Sequence, residues 1–283
     1  MLRLISWPFH NGQPEIGMGR GPRILSDDAD LRRALAELDW EVSLDEVEPA
    51  DPRQGEITRV AELARRLAAR VRAATEAGEF PLVLAGGCNS CLGTAAGMGP
   101  SGAGVVWFDA HADFDTADEN VSGFFDVMGL RMLTGGSWNA LCATIPGFAP
   151  VPQDAVLLAG VRDLEVYQRE SLESSRIRTA PGAIEAAGFE SQLRTVAGEV
   201  ERVYLHLDLD VLDSAEATVN EYAASGGPTL DDLVARVEAV FEAVPVAAAA
   251  LTAWDPACDV DGAALAAARR MVESLARGAR SQR

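Results

Sequence analysis

The chain has 283 residues, a formal net charge of −19 at pH 7 and a hydrophobic content of 48%, which is enough apolar material for a packed core. Apart from three histidines its basic residues are all arginines, so chemistry that needs a Schiff-base lysine or a P-loop lysine is excluded. The negative charge argues against nucleic acid as a partner and favours local cation binding. With no stretch of 18 apolar residues, a membrane partner is not expected. Four cysteines are too few for a disulfide framework, which indicates a cytoplasmic location.

Apolar periodicity along the chain predicts strands that alternate with helices. Strands are expected at Met1–Pro8, Trp40–Val47, Pro81–Ala85, Ala155–Val161 and Val246–Thr252. Helices are expected at Arg23–Leu38, Glu56–Ala77, Ile184–Val200 and Gly262–Arg277, with a further helix capped by Thr229. Since no linker rich in proline, glycine or serine interrupts the alternation, residues 1–283 are predicted to form a single α/β domain with a mostly parallel sheet.

One further apolar run, at residues 105–108, leads into Asp109, His111 and Asp113. On an extended backbone side chains at i, i+2 and i+4 point to the same face. Two carboxylates and an imidazole on one face are hard to explain by packing, because a buried unpaired carboxylate costs several kcal/mol or more. This pattern therefore indicates three metal ligands.

A second apolar run, at residues 203–207, leads into Asp208 and Asp210 in the same way. Active sites in parallel sheets lie outside the carboxyl ends of the strands. The two acidic strand ends are therefore expected side by side, forming a carboxylate-rich site for a divalent metal. The competing interpretation is that these acids are solvated or cap the strand ends.

Other residues near these runs have ordinary interpretations as well as functional ones. Cys88 and Cys91 have the spacing of a zinc half-site or a redox pair, but a second such pair is absent and small buried hydrophobes are preferred. His206 precedes Asp208 by two residues, so it is either a ligand or a partner of a ligating carboxylate.

The motifs as a set resemble those of the ureohydrolase family, which includes arginases, agmatinases and formimidoylglutamases. Asp109–Asp113 resembles its D-A-H-x-D motif, and Asp208–Asp213 resembles its D-x-D-x-x-D motif. Weaker similarities follow in the same order along the chain. These are Gly86–Ser90 to G-G-D-H-S, Ser122–Gly123 to S-G-N-x-H-G, and Gly160–Glu165 to G-x-R-D-x-[DE].

The resemblance implies an αβα sandwich that binds two Mn²⁺ ions, whose bridging hydroxide attacks a guanidinium carbon and releases urea. It implies that Asp109, His111, Asp208 and Asp210 hold one ion and that Asp109, Asp113 and Asp208 contribute to the other, with Asp109 and Asp208 bridging. Ser122 and Glu165 correspond to substrate-binding positions. A homo-oligomer is also implied.

Three positions depart from the family pattern. Asn89 stands where the turn has a metal-binding histidine, and Cys88 supplies a thiolate instead if the turn shifts by one residue. Asp126 stands where the family has a proton-shuttling histidine, a task that requires a raised carboxyl pKa. Ala253 stands where the family has a glutamate that binds the guanidinium. One metal site is therefore expected to be weak, empty or differently built.

The sequence as a whole predicts a manganese-dependent hydrolase for a C–N bond in a small, nitrogen-rich guanidino or amidino compound. His111 and Asp126 are the candidate catalytic residues beside the metal ligands. Arginine and agmatine are not the expected substrates, because the chain lacks a carboxylate at Ala253. The alternative is a family member that binds metal or serves a structural role after losing catalysis.

Overall fold

The computed structural model describes residues 1–99 and 102–283. The strands are β1 (Leu2–Trp7), β2 (Phe9–His10), β3 (Gln13–Pro14), β4 (Val42–Glu46), β5 (Phe80–Ala85), β6 (Ala103–Phe108), β7 (Val156–Ala159), β8 (Arg178–Ala180), β9 (Arg202–Asp208) and β10 (Val246–Thr252). The helices are α1 (Gly21–Asp27), α2 (Ala29–Glu37), α3 (Glu56–Glu76), α4 (Ser90–Met98), α5 (Gly129–Leu133), α6 (Asn139–Cys142), α7 (Val166–Glu173), α8 (Ala186–Ala197), α9 (Leu230–Ala243) and α10 (Ala263–Ser281).

Eight of the strands found in the described residues form one sheet, in the order β4-β1-β5-β10-β9-β6-β7-β8. Each neighbouring pair in this sheet is parallel. The strands β5, β6 and β9 are buried along almost their whole length, as expected for strands that are covered on both faces. The predicted α/β fold with a mostly parallel central sheet is confirmed.

Helices cover both faces of the sheet. One face packs against α8, α9 and α10 through residues such as Phe189, Val237 and Met271. The opposite face packs against α3 and α4 through residues such as Leu67 and Leu92. The molecule is therefore the three-layer αβα sandwich that the resemblance implied. Within the described chain, every helix is too short or too polar to cross a lipid bilayer.

The helix predicted over Arg23–Leu38 is in fact two helices, α1 and α2. The break lies at Asp28, whose backbone is extended and whose carboxylate accepts a hydrogen bond of 2.7 Å from the Leu31 N–H. An aspartate that caps free backbone donors favours the start of a new helix. The periodicity of the leucines continued across this cap, so the pattern hid the break.

The backbone that carries the acidic residues after β6 and β9 also differs from the predicted extended conformation. β6 ends at Phe108, and Asp113 has a left-handed backbone with φ 47°. β9 ends at Asp208, and residues 209–211 form a 3₁₀ turn. The expectation that Asp109, His111 and Asp113 lie on one face of a continuing strand is wrong. Turns after the strands bring the acidic residues together instead.

Candidate metal centre

The carboxyl ends of the central strands meet beside one cavity. Thr252 pairs with Asp208 and Phe108 pairs with Leu207, so β10, β9 and β6 end at about the same level of the sheet. The cavity has a volume of about 670 Å³. Its described lining is Met18, Cys88, Asp109, His111, Asp113, Asp115, Val121, Ser122, Phe124, Asp126, Val127, Glu165, Tyr167, Gln168, Asp208, Asp210, Asn220, Tyr222 and Ala253.

A first group of possible metal ligands consists of Asp109, His111 and Asp210, which we call the histidine end. His111 Nδ1 lies 3.3 Å from Asp109 Oδ1 and 3.4 Å from Asp210 Oδ2. One ligand atom from each of the three residues lies within 4.8 Å of the others. Asp210 is held in place by Asn220, whose Nδ2 donates to Oδ2 over 3.2 Å. This spacing suits a metal ion held between them.

A second group consists of Cys88, Asp109 and Asp208, which we call the cysteine end. These three residues are buried, and their ligand atoms again lie within 4.8 Å of one another. The Cys88 thiol donates to Asp208 Oδ2 over 2.9 Å. Asp109 belongs to both groups, so its carboxylate lies between the two ends. The structure thus contains two adjoining sets of ligands rather than one.

Asp113 lies near the two groups without joining either. Its side chain is 8% exposed and lines the cavity. The carboxylate makes no hydrogen bond or ion pair with any residue that the structure describes, while its backbone carbonyl accepts from the Arg131 N–H over 3.0 Å. A buried carboxylate without a partner is costly. Asp113 is therefore an acid that a bound cation would stabilise.

The electrostatics of the cluster are unfavourable without a cation. Burial, reinforced by neighbouring carboxylates, raises the pKa of Asp109 and raises the pKa values of Asp113 and Asp208 well above their usual range. Burial opposes charge on Asp210 too, but His111 outweighs it and lowers the pKa of Asp210. Burial disfavours the imidazolium, yet Asp210 and Asp109 raise the pKa of His111 to about 12. One imidazolium cannot neutralise four carboxylates.

Neither lysine nor arginine is found among the described residues that line the cavity. A divalent cation bound between these acids would supply the missing positive charge. Carboxylate oxygens, imidazole and thiolate are all ligands for divalent transition metals. Metal binding would displace the proton from His111 and from the cysteine, since ligands bind in their deprotonated forms. The residues present fit a divalent metal centre with Asp109 positioned to serve both ends.

Asn89, a predicted metal ligand, does not bring its side chain to the cavity that the described acids line. Its backbone N–H donates to Asp126 Oδ1 over 2.8 Å, and the Cys88 N–H donates to Asp126 Oδ2 over 2.9 Å. The buried Asn89 Oδ1 has no hydrogen-bond partner among the described residues. Cys88 is the residue of this turn whose side chain reaches the carboxylates.

Asp126 therefore supports the turn as well as facing the cavity. Burial raises its pKa, and the two backbone hydrogen bonds from Asn89 and Cys88 oppose that rise. The contact is close enough that a Cβ on Gly87 would lie 2.5 Å from Asp126 Oδ2, which explains the glycine there. A raised pKa is what the predicted proton-transfer role requires, although both carboxylate oxygens are already engaged.

The two predicted substrate-binding residues lie at the mouth of the cavity. Glu165 is exposed and caps α7, with a reciprocal hydrogen bond from its own N–H to Gln168 Oε1 over 2.9 Å. The exposed Ser122 hydroxyl donates to Asn120 Oδ1 over 2.7 Å. Both side chains line the cavity, so a bound molecule can contact them without entering the acidic base.

Several cavity residues were missed in the sequence. Asp115 is buried and accepts hydrogen bonds of 3.0 Å from the Tyr167 hydroxyl and the Gln168 amide. Phe124 and Tyr222 stack with ring centroids 5.7 Å apart, and Tyr222 also meets His111 edge to face. Asp115 continues the alternating acids after Asp113 and could have been found by that signal. The two aromatic residues are 98 positions apart, and no local pattern joins them.

A half-buried arginine holds the turns around the centre. Arg162 donates hydrogen bonds to six backbone carbonyls, over distances from 2.8 to 3.2 Å. The acceptors are Gly160, Asp210, Val211, Leu212, Ala224 and Ser225. The planar guanidinium can reach this many acceptors because it carries five N–H donors. Arg162 thereby fixes the chain from Asp210 to Leu212.

The fold and the site together define an α/β sandwich with two adjoining groups of candidate metal ligands at its strand ends. Comparisons make the assignment specific: the Arginase family model matches residues 2–276. The chain belongs to the arginase family. Similar proteins include the arginase of Bacillus caldovelox, 29% identical over 276 residues, which are 91% of this chain and 92% of that protein.

Solved structures agree with this assignment. The crystal structure of arginase from Bacillus subtilis aligns with a TM-score of 0.86 and 26% identity, covering 98% of both chains. The proclavaminate amidino hydrolase from Streptomyces clavuligerus aligns with a TM-score of 0.70 and 17% identity, covering 100% of this chain and 92% of the other. The second comparison shows a shared fold alone. Membership of the family confirms the ureohydrolase resemblance inferred from the motifs.

Proposed function

We propose that this protein is a manganese-dependent hydrolase that cleaves a C–N bond in a small cationic guanidino or amidino compound. The observation that carries the proposal is the buried cluster of Asp109, Asp113, Asp208 and Asp210, which lacks a lysine or arginine partner within the described lining. Two metal ions would supply the missing charge. Family membership supports the reaction class.

Different residues of the site would bind the metal ions and transfer the proton in such a reaction. Asp109, His111, Asp208 and Asp210 would hold one ion, and Asp109, Asp113 and Asp208 would contribute to the other. When bound, divalent ions lower the pKa of water so that it can attack an electrophilic carbon at neutral pH. Asp126 is placed to accept or return a proton at its carboxylate, which faces the cavity beside the cysteine end.

The cavity favours a cationic substrate. Its described lining contains seven carboxyl groups, of which Asp115, Asp126 and Glu165 lie outside the proposed metal ligands. Such a field attracts positive charge and repels an anionic group. The stacked Phe124 and Tyr222 rings present faces to which a planar cation can bind. Small guanidino and amidino compounds have both the charge and the planarity.

Arginine and agmatine are expected to be poor substrates. Ala253 lines the cavity where a family glutamate would bind the guanidinium. A buried charge that has lost its partner costs about 3–5 kcal/mol. That cost corresponds to a loss of roughly two to four orders of magnitude in kcat/KM.

The test combines metal analysis with a screen for urea or ammonia release over guanidino and amidino compounds, with arginine and agmatine included. We expect manganese-dependent turnover of a cationic compound without a carboxylate, and turnover of arginine lower by the stated factor. Efficient hydrolysis of arginine would contradict the substrate proposal. Failure of the protein to bind any divalent metal would contradict the proposed function itself.

One observation favours a second candidate, a metal-binding protein without hydrolytic activity. Asp126 accepts two backbone hydrogen bonds from the turn at Cys88 and Asn89, so its carboxylate has a structural role that competes with proton transfer. This candidate predicts full metal binding with no turnover of any compound in the screen. The same experiment therefore separates it from the hydrolase.

A further inference from the structure

We infer that Cys88 makes the two ends of the metal centre chemically different, so that the cysteine end takes a thiophilic divalent ion such as Zn²⁺ while the histidine end takes Mn²⁺. This inference rests on the proposed binuclear function and specifies the cofactor at each end. Its basis is the grouping of the Cys88 sulfur with the Asp109 and Asp208 carboxylates within 4.8 Å.

The geometry of the turn directs Cys88 toward this role. Asp126 binds the Cys88 and Asn89 N–H groups, which fixes the backbone of the turn. The Cys88 sulfur then lies 2.9 Å from Asp208 Oδ2 and 3.4 Å from the Thr252 hydroxyl. Its side chain is 4% exposed. Contact with one buried carboxylate, with a second within 4.8 Å, is an unusual environment for a cysteine that only fills space.

A chain of buried groups stands behind the sulfur. His206 Nε2 lies 3.4 Å from Cys88 Sγ, and His206 Nδ1 lies 2.7 Å from the Tyr204 hydroxyl. The Trp107 ring stacks on the imidazole with centroids 3.6 Å apart, which fixes the orientation of the ring. When Tyr204 donates to Nδ1, the neutral imidazole carries its proton on Nε2 and donates it toward the sulfur. Such a donor stabilises a metal-bound thiolate.

Asp113 provides an independent sign that an ion belongs here. Its carboxylate is more than nine-tenths buried, lines the cavity and has no side-chain partner among the residues described. Together with Cys88, Asp109 and Asp208 it would complete a set of one sulfur and three carboxylate residues. The histidine end offers imidazole and carboxylate oxygen only. The two ends therefore differ in the softness of their ligands.

Ligand softness sorts divalent metals. Thiolate favours Zn²⁺ and other thiophilic ions, whereas carboxylate sites suit Mn²⁺. Binding at the cysteine end replaces the S–H bond by an S–metal bond and releases one proton to solvent, with no change of oxidation state. A mixed pair of ions follows from a turn that carries Cys88 and Asn89 where the family pattern has aspartate and histidine.

The test is a titration of metal-free protein with Co²⁺ under reducing conditions. Cobalt bound to a thiolate gives an intense near-ultraviolet charge-transfer band, and cobalt bound by oxygen and nitrogen ligands does not. We expect two Co²⁺ per chain and this band in the unmodified protein. Cys88→Ser should lose the band and bind one Co²⁺, while the matched control Cys91→Ser should keep both. Cys91 is equally buried, but its sulfur contacts the Gly129 carbonyl over 3.6 Å.

A competition between Zn²⁺ and Mn²⁺, followed by elemental analysis, supplies the second measurement. The unmodified protein should retain one Zn²⁺ and one Mn²⁺ per chain, and Cys88→His should shift the cysteine end toward Mn²⁺. His206→Gln should weaken Zn²⁺ binding by roughly 10–100-fold and leave the Mn²⁺ end unchanged. His206→Gln keeps the test decisive if Cys88→Ser fails to fold.

The outcomes separate this inference from the function on which it rests. Two Co²⁺ ions bound without a thiolate band, or a band that survives in Cys88→Ser, would overturn the role of Cys88 and leave the binuclear hydrolase intact. Retention of two Mn²⁺ in the competition would do the same. A chain that binds no Co²⁺ at all would overturn both.

Discussion

Asp109 illustrates how much of the site depends on single residues. It is 1% exposed, donates ligand atoms to both ends of the centre, and accepts hydrogen bonds from the Trp107 indole over 2.9 Å and from the His111 N–H over 2.7 Å. These bonds fix the direction of both carboxylate oxygens. A residue held this firmly between two ligand groups should control both metal positions together.

We therefore expect Asp109→Ala to lose both metal ions and all hydrolytic activity, whereas an exposed acid such as Asp118, changed to alanine, should have no effect. Elemental analysis of protein dialysed against one equivalent of metal per site gives the stoichiometry. The removed carboxylate also leaves the His111 imidazole with one partner fewer. Full metal content in Asp109→Ala would contradict the shared position of this residue.

The sequence predicted the acids of the candidate metal centre but not their surroundings. Asp109, His111, Asp208 and Asp210 follow buried apolar runs, so burial of several carboxylates together could be inferred from the pattern alone. Cys88 could be proposed only as an alternative metal ligand to Asn89. The sequence does not determine which of two adjacent residues in a turn directs its side chain toward the site. Phe124, Tyr222 and Asn220 come from loops whose approach depends on tertiary structure.

At the scale of elements, the loop after β9 carries Asp210 and depends on a residue from a different loop. Arg162 binds carbonyls on both sides of this loop, and its neighbour Gly227 has no room for a side chain, since a Cβ would lie 2.7 Å from the guanidinium. Gly160–Glu165 resembles the family's G-x-R-D-x-[DE] segment. That resemblance did not predict that the arginine would bind the carbonyls of the adjacent turn.

Arg162→Lys should lower the free energy of unfolding by about 2–4 kcal/mol, because an ammonium group cannot reach so many carbonyls and each buried hydrogen bond to a charged group contributes about 1.5–3 kcal/mol. Metal affinity at the histidine end should fall as well. Chemical denaturation and metal titration measure the two effects. The matched control is Arg176→Lys, an exposed residue 3.9 Å from Asp154. Equal stability of the two variants would argue against the role of Arg162.

The element boundaries show where pattern reasoning works. The helix predicted over Glu56–Ala77 and the strand over Val246–Thr252 match α3 and β10, because long amphipathic or apolar runs leave little choice. The predicted helix beginning at Thr229 is also capped as expected, with the Asp232 N–H donating to its hydroxyl over 3.2 Å. The short strand β8 was missed, since its three residues carry no periodic signal.

At the scale of the whole molecule, two apolar layers enclose the sheet, and the acidic residues of the candidate metal centre lie at the carboxyl ends of its strands. The hydrophobic residues of these two layers stabilise the fold, and the acidic residues of the candidate metal centre are not among them. That cluster stabilises nothing by itself, because burial and mutual repulsion raise the pKa values of its acids. The single domain over residues 1–283, the homo-oligomer and the cytoplasmic location stay predictions. The global fold should therefore tolerate neutralisation of an acid in the centre.

Asp113 allows this separation of fold and function to be tested by pH. Its folded-state pKa is raised well above the usual 3.8, mainly by burial and then by Asp109. An acid whose pKa is raised by folding binds more protons in the folded state, so it destabilises the protein increasingly as pH rises above the unfolded pKa. In the metal-free protein, Asp113→Asn should therefore be more stable than the unmodified chain at neutral pH. The difference should vanish as pH falls toward about 3.8.

Bound metal should reverse the order of the two proteins. An ion at a concentration 1,000 times its Kd stabilises the folded state by about 4.1 kcal/mol, and Asp113→Asn should gain less because it lacks a ligand. Comparing the two chains cancels the opposite pH effect of His206, whose pKa burial lowers to about 3. Denaturant unfolding across the pH range, with and without Mn²⁺ and Zn²⁺, gives all four stabilities. If Asp113→Asn were less stable without metal, Asp113 would serve the fold rather than an ion.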